Sequence, residues 1–276
     1  MHGYAARLST IADFRSAGKG CRVRSVVLAI LIISNAAYGA DLGVLDDASL
    51  PGRNRYERCL ELTRRIPQEA LKVANTWQTD GGGPAAGHCA ALALVALKLY
   101  PEAAKQLDQL GHSKLGSVEE RADLFDQAGN AWLLARRAGE AIESFSSALA
   151  LSPRDPDLLA DRARAAAMLG DWKSAENDLS AALKLDPNRA DLLVLRASAR
   201  HAMGHKAESR ADLEAALRIV PNYSEALLER GTARLEAGDL NGARSDWQTV
   251  VSRAPGSEAA TTAEERLKSL QSAKSK

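Results

Sequence analysis

Asp171-Trp172-Lys173-Ser174-Ala175-Glu176-Asn177-Asp178-Leu179-Ser180-Ala181-Ala182-Leu183, continued by Lys184-Leu185-Asp186-Pro187, contains the pattern from which the rest of the chain can be read. Ala175, Leu179, Ala182 and Leu183 recur at helical spacing, so the segment is an amphipathic helix with one buried stripe. Gly170 stands just ahead of it, where a left-handed residue closes a preceding helix. Asp186 precedes a proline, which pushes it out of helical geometry and stops the segment. The punctuation then repeats. Pro153, Pro187, Pro221 and Pro255 are 34 residues apart, and Gly170, Gly204 and Gly238 keep the same step. A fixed period of this length means stacked structural units, none of which can shield its apolar side alone. The prolines delimit four units, 122–155, 156–189, 190–223 and 224–257, each with two helical patterns.

The spacing resembles the tetratricopeptide repeat, whose pattern has a bulky residue at repeat position 4, Leu at 7, Gly or Ala at 8, a large residue at 11, Ala at 20, an aromatic or Leu at 24, Ala at 27 and Pro at 32. In the first unit these places hold Phe125, Ala128, Gly129, Trp132, Ala141, Phe145, Ala148 and Pro153. The second unit offers Leu159, Ala163, Ala175, Leu179, Ala182 and Pro187. The third offers Leu193, Ala197, Leu213, Ala216 and Pro221, and the fourth Leu227, Gly231, Ala243, Trp247, Val250 and Pro255. The resemblance implies an all-α chain, a right-handed α-α superhelix, with a helix at 258–272 capping the last apolar side.

Two departures matter. Position 11 carries Ala166, Arg200 and Arg234 in the last three units, which predicts looser packing there. Position 7 carries Arg162, Arg196 and Arg230, and 16 residues after each stands Asp178, Asp212 or Asp246. The first unit has Ala128 and Ser144 instead, so both partners vanish together. Each Arg is expected to reach the Asp of its own hairpin as a structural ion pair.

Before residue 122 the pattern is less regular. Residues 41–54 read as an irregular lead-in. Helical patterning begins near Arg55, with Tyr56, Cys59, Leu60 and Thr63 on one face, breaks at Ile66-Pro67, and resumes over 69–76. Gly81-Gly82-Gly83-Pro84 reads as a flexible linker, His88–Leu99 as a very apolar helix, and 102–110 as its partner. Residues 55–117 are thus expected to form two degenerate hairpins. Cys59 and Cys89 fall in the first helices of these neighbours and are disulfide candidates.

Composition agrees: 46% hydrophobic, 4% aromatic, charge +1. The first 40 residues hold five bases and one acid, leaving 31 bases against 34 acids, a net charge of −3. That lacks the basic footprint of a nucleic-acid binder. Arg22 and Arg24, the apolar run Val26–Ile33 and the small residues up to Ala40 have the anatomy of a secretory signal peptide at 1–40. The run is too short for a spanning helix, so no stable membrane insertion is expected after cleavage. The expected destination is the periplasm or the exterior.

No nucleophile elbow, zinc-protease motif or phosphate loop occurs, and neither catalytic residues nor a cofactor nor a metal site is expected. His201 and His205 have the spacing of a helical metal pair but lack a carboxylate motif beside them. In the family the first helix of each repeat lines a concave groove. The resemblance places Asp123, Asp126, Asn130, Asp157, Arg164, Asp191, Ser198, His201, Glu225 and Thr232 there. Some family members clamp an acidic chaperone tail with cations and amides, yet Asp126, Asp161 and Asp191 occupy such places here. A protein or peptide partner with a basic or mixed extended segment is expected, with Asn130 and Arg164 bonding its backbone. The expected role is a non-catalytic scaffold or adaptor of the cell envelope. The alternatives are a dedicated subunit of a secretion or envelope-assembly complex and, third, an enzyme-accessory domain.

Overall fold

The computed structural model describes residues 52–113 and 115–274. The expected signal peptide and residues 41–51 of the lead-in lie outside them. Among the described residues there are thirteen helices and no strand. They are α1 (Gly52–Arg65), α2 (Pro67–Thr79), α3 (Gly83–Ala96), α4 (Tyr100–His112), α5 (Val118–Leu134), α6 (Ala138–Leu151), α7 (Pro156–Met168), α8 (Trp172–Leu185), α9 (Ala190–Ala202), α10 (Lys206–Ile219), α11 (Ser224–Glu236), α12 (Leu240–Arg253) and α13 (Glu258–Lys274). Each helix packs on the next, giving six antiparallel hairpins closed by α13.

Boundaries follow local chemistry. The residues ahead of the periodic prolines, Ser152, Asp186, Val220 and Ala254, all leave helical geometry at the ends of α6, α8, α10 and α12. Asp155, Asp171 and Asp239 cap α7, α8 and α12 by accepting backbone N–H bonds, and Ser117 with Glu120 forms a capping box on α5. That box starts α5 four residues before the expected unit boundary at 122. The helix α1 also begins early, at Gly52 rather than near Arg55, because a first turn needs no buried stripe and Arg is a good helix former. The expected linker at residues 81–84 is no linker. Gly83 and Pro84 open α3, and Gly82 lies so close to the Trp77 indole that a Cβ would come within 2.5 Å of it.

In the first hairpin the chain turns through Ile66 at φ −143°, and from the second on the turns between the helices of one hairpin use a left-handed residue. Gly170, Gly204 and Gly238 fill this place at φ 78°, 83° and 83°. In two earlier hairpins the residue is Lys98 (φ 61°) or Arg136 (φ 59°), a conformation that costs a side-chain-bearing residue roughly 1–2 kcal/mol.

Packing inside each hairpin is set by repeat positions 8 and 24. A Cβ on Gly129 would sit 2.5 Å from the Phe145 ring, and one on Gly231 would sit 2.4 Å from the Trp247 indole. Where position 8 is Ala163 or Ala197, position 24 shrinks to Leu179 or Leu213, all four buried. One volume is therefore filled in two ways.

The ion pairs form a lattice. Arg162 Nε and Nη2 donate to Asp178 Oδ2 and Oδ1, both at 2.8 Å, and Arg196 and Arg230 bind Asp212 and Asp246 in the same fork at 2.7–3.0 Å. Arg162 and Arg196 also donate backwards, to Ser146 and Ser180 of the preceding hairpin. The expected loosening at position 11 does not occur at the two arginines. Arg200 and Arg234 each add a second guanidinium to Asp212 or Asp246 at 2.9 Å, and Arg200 also reaches Glu176 of the preceding hairpin. In the first regular hairpin, Asp108 from α4 replaces this lattice, accepting from Trp132 Nε1 (2.8 Å) and Ser144 Oγ (2.7 Å).

At the N-terminal end Cys59 and Cys89 are disulfide-bonded, Cα atoms 6.2 Å apart, joining α1 to α3 within a small separate core. Tyr56, His88 and Gln127 form a hydrogen-bonded chain across α1, α3 and α5. Burial lowers the His88 pKa, so the imidazole in this chain is neutral.

Three outcomes are expected. Replacing both Cys59 and Cys89 with Ser costs about 3–4 kcal/mol by loop entropy, read as faster hydrogen exchange confined to α1–α3. Gly129→Ala costs about 1–3 kcal/mol in chemical denaturation, and adding Phe145→Leu recovers much of it, a coupling that two independent sites would not show. Asp212→Ala, which removes the forked partner of Arg196 and leaves Arg200 with Glu176 alone, destabilises by about 3–5 kcal/mol, more than Asp178→Ala, which affects one arginine.

Candidate functional site

First helices of consecutive hairpins meet, α1 with α3, α5 with α7, α9 with α11 and α11 with α13, more closely than any two second helices do. The row of first helices is therefore the inner side of the curve, and the candidate groove residues stand on it.

Position 2 of the repeat is acidic in all four units: Asp123, Asp157, Asp191 and Glu225. The last three lie in the first turns of α7, α9 and α11, where the helix dipole favours a negative charge. Asp157 is 68% exposed and receives Arg189 Nη1 at 3.0 Å, while Arg189 grips Asp191 bidentately at 2.7 and 2.9 Å. Burial alone would push the Asp191 carboxyl up, but Arg189 holds it below the usual carboxylate range. Glu225 has no such counter-ion. Burial raises its pKa, offset in part only by its own backbone N–H. Tyr223 beside it is raised further, by burial and then by the Glu225 and Asp191 charges.

The two residues expected to bond a ligand backbone are engaged within the chain. Asn130 Nδ2 donates to the Asp126 carboxylate at 2.9 Å and to the Asp126 carbonyl at 3.0 Å. Arg164 pairs with the buried Asp161 one turn earlier. Ser198 Oγ donates to the Val194 carbonyl, and His201 Nε2 meets Glu236 at 3.2 Å. Thr232 Oγ1 donates to the Leu228 carbonyl and accepts from Arg266 of α13. Among the described residues no three His, Cys, Asp or Glu side chains gather as metal ligands, and the carboxylate beside His201, that of Glu236, is shared with Lys206.

Arg189 escaped the sequence reading because it lies at position 34, in a turn, and its double grip on Asp157 and Asp191 depends on how two repeats stack. Asp108 escaped because it belongs to an irregular hairpin. The matching loss of Arg and Asp at Ala128 and Ser144 was the available signal that another group serves there.

Comparison with known proteins comes out the same way as the geometry. Two family models, both described as tetratricopeptide repeat, match residues 131–197 and 194–258. No curated protein matches the sequence. Among solved structures, PilF of Pseudomonas aeruginosa is 14% identical, with 78% of this chain and 97% of that one covered and a TM-score of 0.58. A tetratricopeptide repeat protein from Parabacteroides merdae is 18% identical, with coverages of 79% and 84% and a TM-score of 0.55. YrrB, a TPR protein with an unusual peptide-binding site, is 18% identical, with coverages of 69% and 96% and a TM-score of 0.51. At these identities the likeness is one of fold. The 34-residue period, the stacked hairpins and both family matches agree, and residues 131–258 belong to the tetratricopeptide repeat family.

Proposed function

We propose that the chain is a non-catalytic adaptor of the cell envelope that holds an extended, basic segment of a partner protein along its row of first helices. The observation that carries this reading is the acid at position 2 of four successive repeats, with Glu225 half-buried and lacking a cation of its own. The guanidinium nearest this ladder, Arg189, is already committed to Asp157 and Asp191, so it neutralises two carboxylates without offering a site to an acidic ligand. A Lys or Arg of a partner placed against Glu225 would supply the missing charge and offset the burial of its carboxylate. YrrB binds peptide on the same fold, which supports a peptide as the kind of ligand. The basic, apolar and small-residue succession in residues 22–40 supports export.

Fluorescence anisotropy with labelled Lys/Arg-rich and Asp/Glu-rich peptides tests the reading. Basic peptides should bind, lose affinity as salt rises, and lose about tenfold when Asp157→Asn and Glu225→Gln are combined. Because the Glu225 pKa is raised, binding should weaken as pH falls while ordinary carboxylates are still ionised. A preference for the acidic peptides would overturn the proposal.

A further inference from the structure

The turns joining the two helices of each hairpin fall together on one edge of the stack, away from the groove. Exposed aliphatic side chains recur along this edge, Leu169, Leu235 and Leu240 among them, and the first three hairpins add cations to theirs. Ile66, Leu99 and Leu134 are 49%, 44% and 44% exposed. Beside them stand the exposed cations Arg64, Lys98 and Arg136, with no charged or hydrogen-bonding partner for their side chains among the described residues.

Two of these cations occupy the left-handed turn position that is Gly170, Gly204 and Gly238 in later hairpins. Glycine would be the less strained choice, so a Lys and an Arg there are held against the backbone's preference. Helix electrostatics favours them from one side only: Arg64 lies in the last turn of α1, and Lys98 and Arg136 follow the C-caps of α3 and α5, where the dipole suits a cation. These turns lead into the N-termini of α2, α4 and α6, where the dipole disfavours positive charge. The carboxylates Glu69, Glu102 and Glu140 in those first turns answer the dipole, Glu140 pairing with Arg137 and Glu69 with Lys72. Glu61 pairs with Arg65. Arg64, Lys98 and Arg136 stay unpaired at the tips.

We propose that this edge docks on the surface of an anionic lipid bilayer, the three aliphatic side chains entering the acyl boundary and the three cations lying at headgroup level. A bilayer suits the pattern better than a protein does. The apolar side chains are single and separated by the width of a hairpin, roughly 10 Å or more, on convex tips without a pocket. A protein partner needs a contiguous complementary patch, whereas an interface of headgroups accepts separate side chains one by one and is drawn to each nearby cation. No described helix is long and apolar enough to cross a membrane, so the contact is peripheral. This surface is distinct from the groove and does not depend on what the groove binds.

The test is co-sedimentation with vesicles of neutral phosphatidylcholine, alone or mixed with anionic phosphatidylglycerol. It is run on the chain from Asp41 onward, which keeps every described residue and lacks the apolar run Val26–Ile33. Binding to the anionic vesicles alone, reversed by high salt, is expected. Lys98→Gly with Arg136→Gly should weaken binding about 30-fold while raising the melting temperature, a combination that damage to the fold cannot produce. Leu99→Ser with Leu134→Ser should weaken it about tenfold or more. Asp157→Asn with Glu225→Gln should leave vesicle binding intact. Equal binding to neutral vesicles, unchanged binding by both tip variants, or binding to an acidic protein without binding to anionic vesicles would overturn the proposal.

Discussion

A helical hairpin has two apolar flanks and one partner helix, so it always leaves a flank open to water. Everything else in this molecule answers that deficit. Each hairpin covers the flank left by the one before, and α13 buries Ala259, Ala260, Ala263 and Leu270 to close the last. The main core accordingly runs as one continuous cluster from Ala104 to Leu270. Apolar burial alone fixes neither the rotation nor the spacing of successive hairpins, because it is non-directional. The forked arginines do both. They bind an aspartate of their own hairpin and, at Arg162, Arg196 and Arg200, also reach back to the preceding one, so hairpin geometry and stacking geometry are specified by the same guanidinium groups.

The same architecture separates surfaces. The inner row of first helices carries a recurring carboxylate because position 2 lies near a helix start, where negative charge is favoured for local reasons. The stacking that satisfies the core then brings those local choices into line along one face. A surface pattern useful for recognition can thus arise from separate preferences at the starts of α7, α9 and α11 held in register. At the hairpin tips Lys98 and Arg136 hold a left-handed conformation that glycine would adopt with less strain, which is what sets them apart.

Periodicity made most of the fold readable from the sequence. The 34-residue step located the turns of α6–α13 to within a residue or two, since proline and glycine act through their own backbone geometry wherever they stand. The Arg–Asp spacing was readable for the same reason: 16 residues separate facing sites on two antiparallel helices. Reading failed where the cause was tertiary or the signal was polar. The start of α1 has no apolar stripe to announce it. The tight contact of Gly82 with Trp77 looks like a flexible run until the indole is placed. Asn130 and Arg164 occupy groove positions, but their intrahelical partners Asp126 and Asp161 claim them first. The second arginine on Asp212 and Asp246 was taken for a packing defect because large and apolar are usually required together, and here size alone is kept.

The two fillings of the space between positions 8 and 24 bear on how such a chain grows. Glycine under an aromatic ring and alanine under leucine are both confined within a hairpin. The Gly129/Phe145 unit lies against an Ala163/Leu179 unit, and the Gly231/Trp247 unit against an Ala197/Leu213 unit. Whatever variety is tolerated stays internal to the module, and the joint between modules is unaffected by which variety is present. A copying event that added or removed one whole unit would therefore meet a compatible neighbour on either side, and the length of the array can drift while its cross-section is conserved.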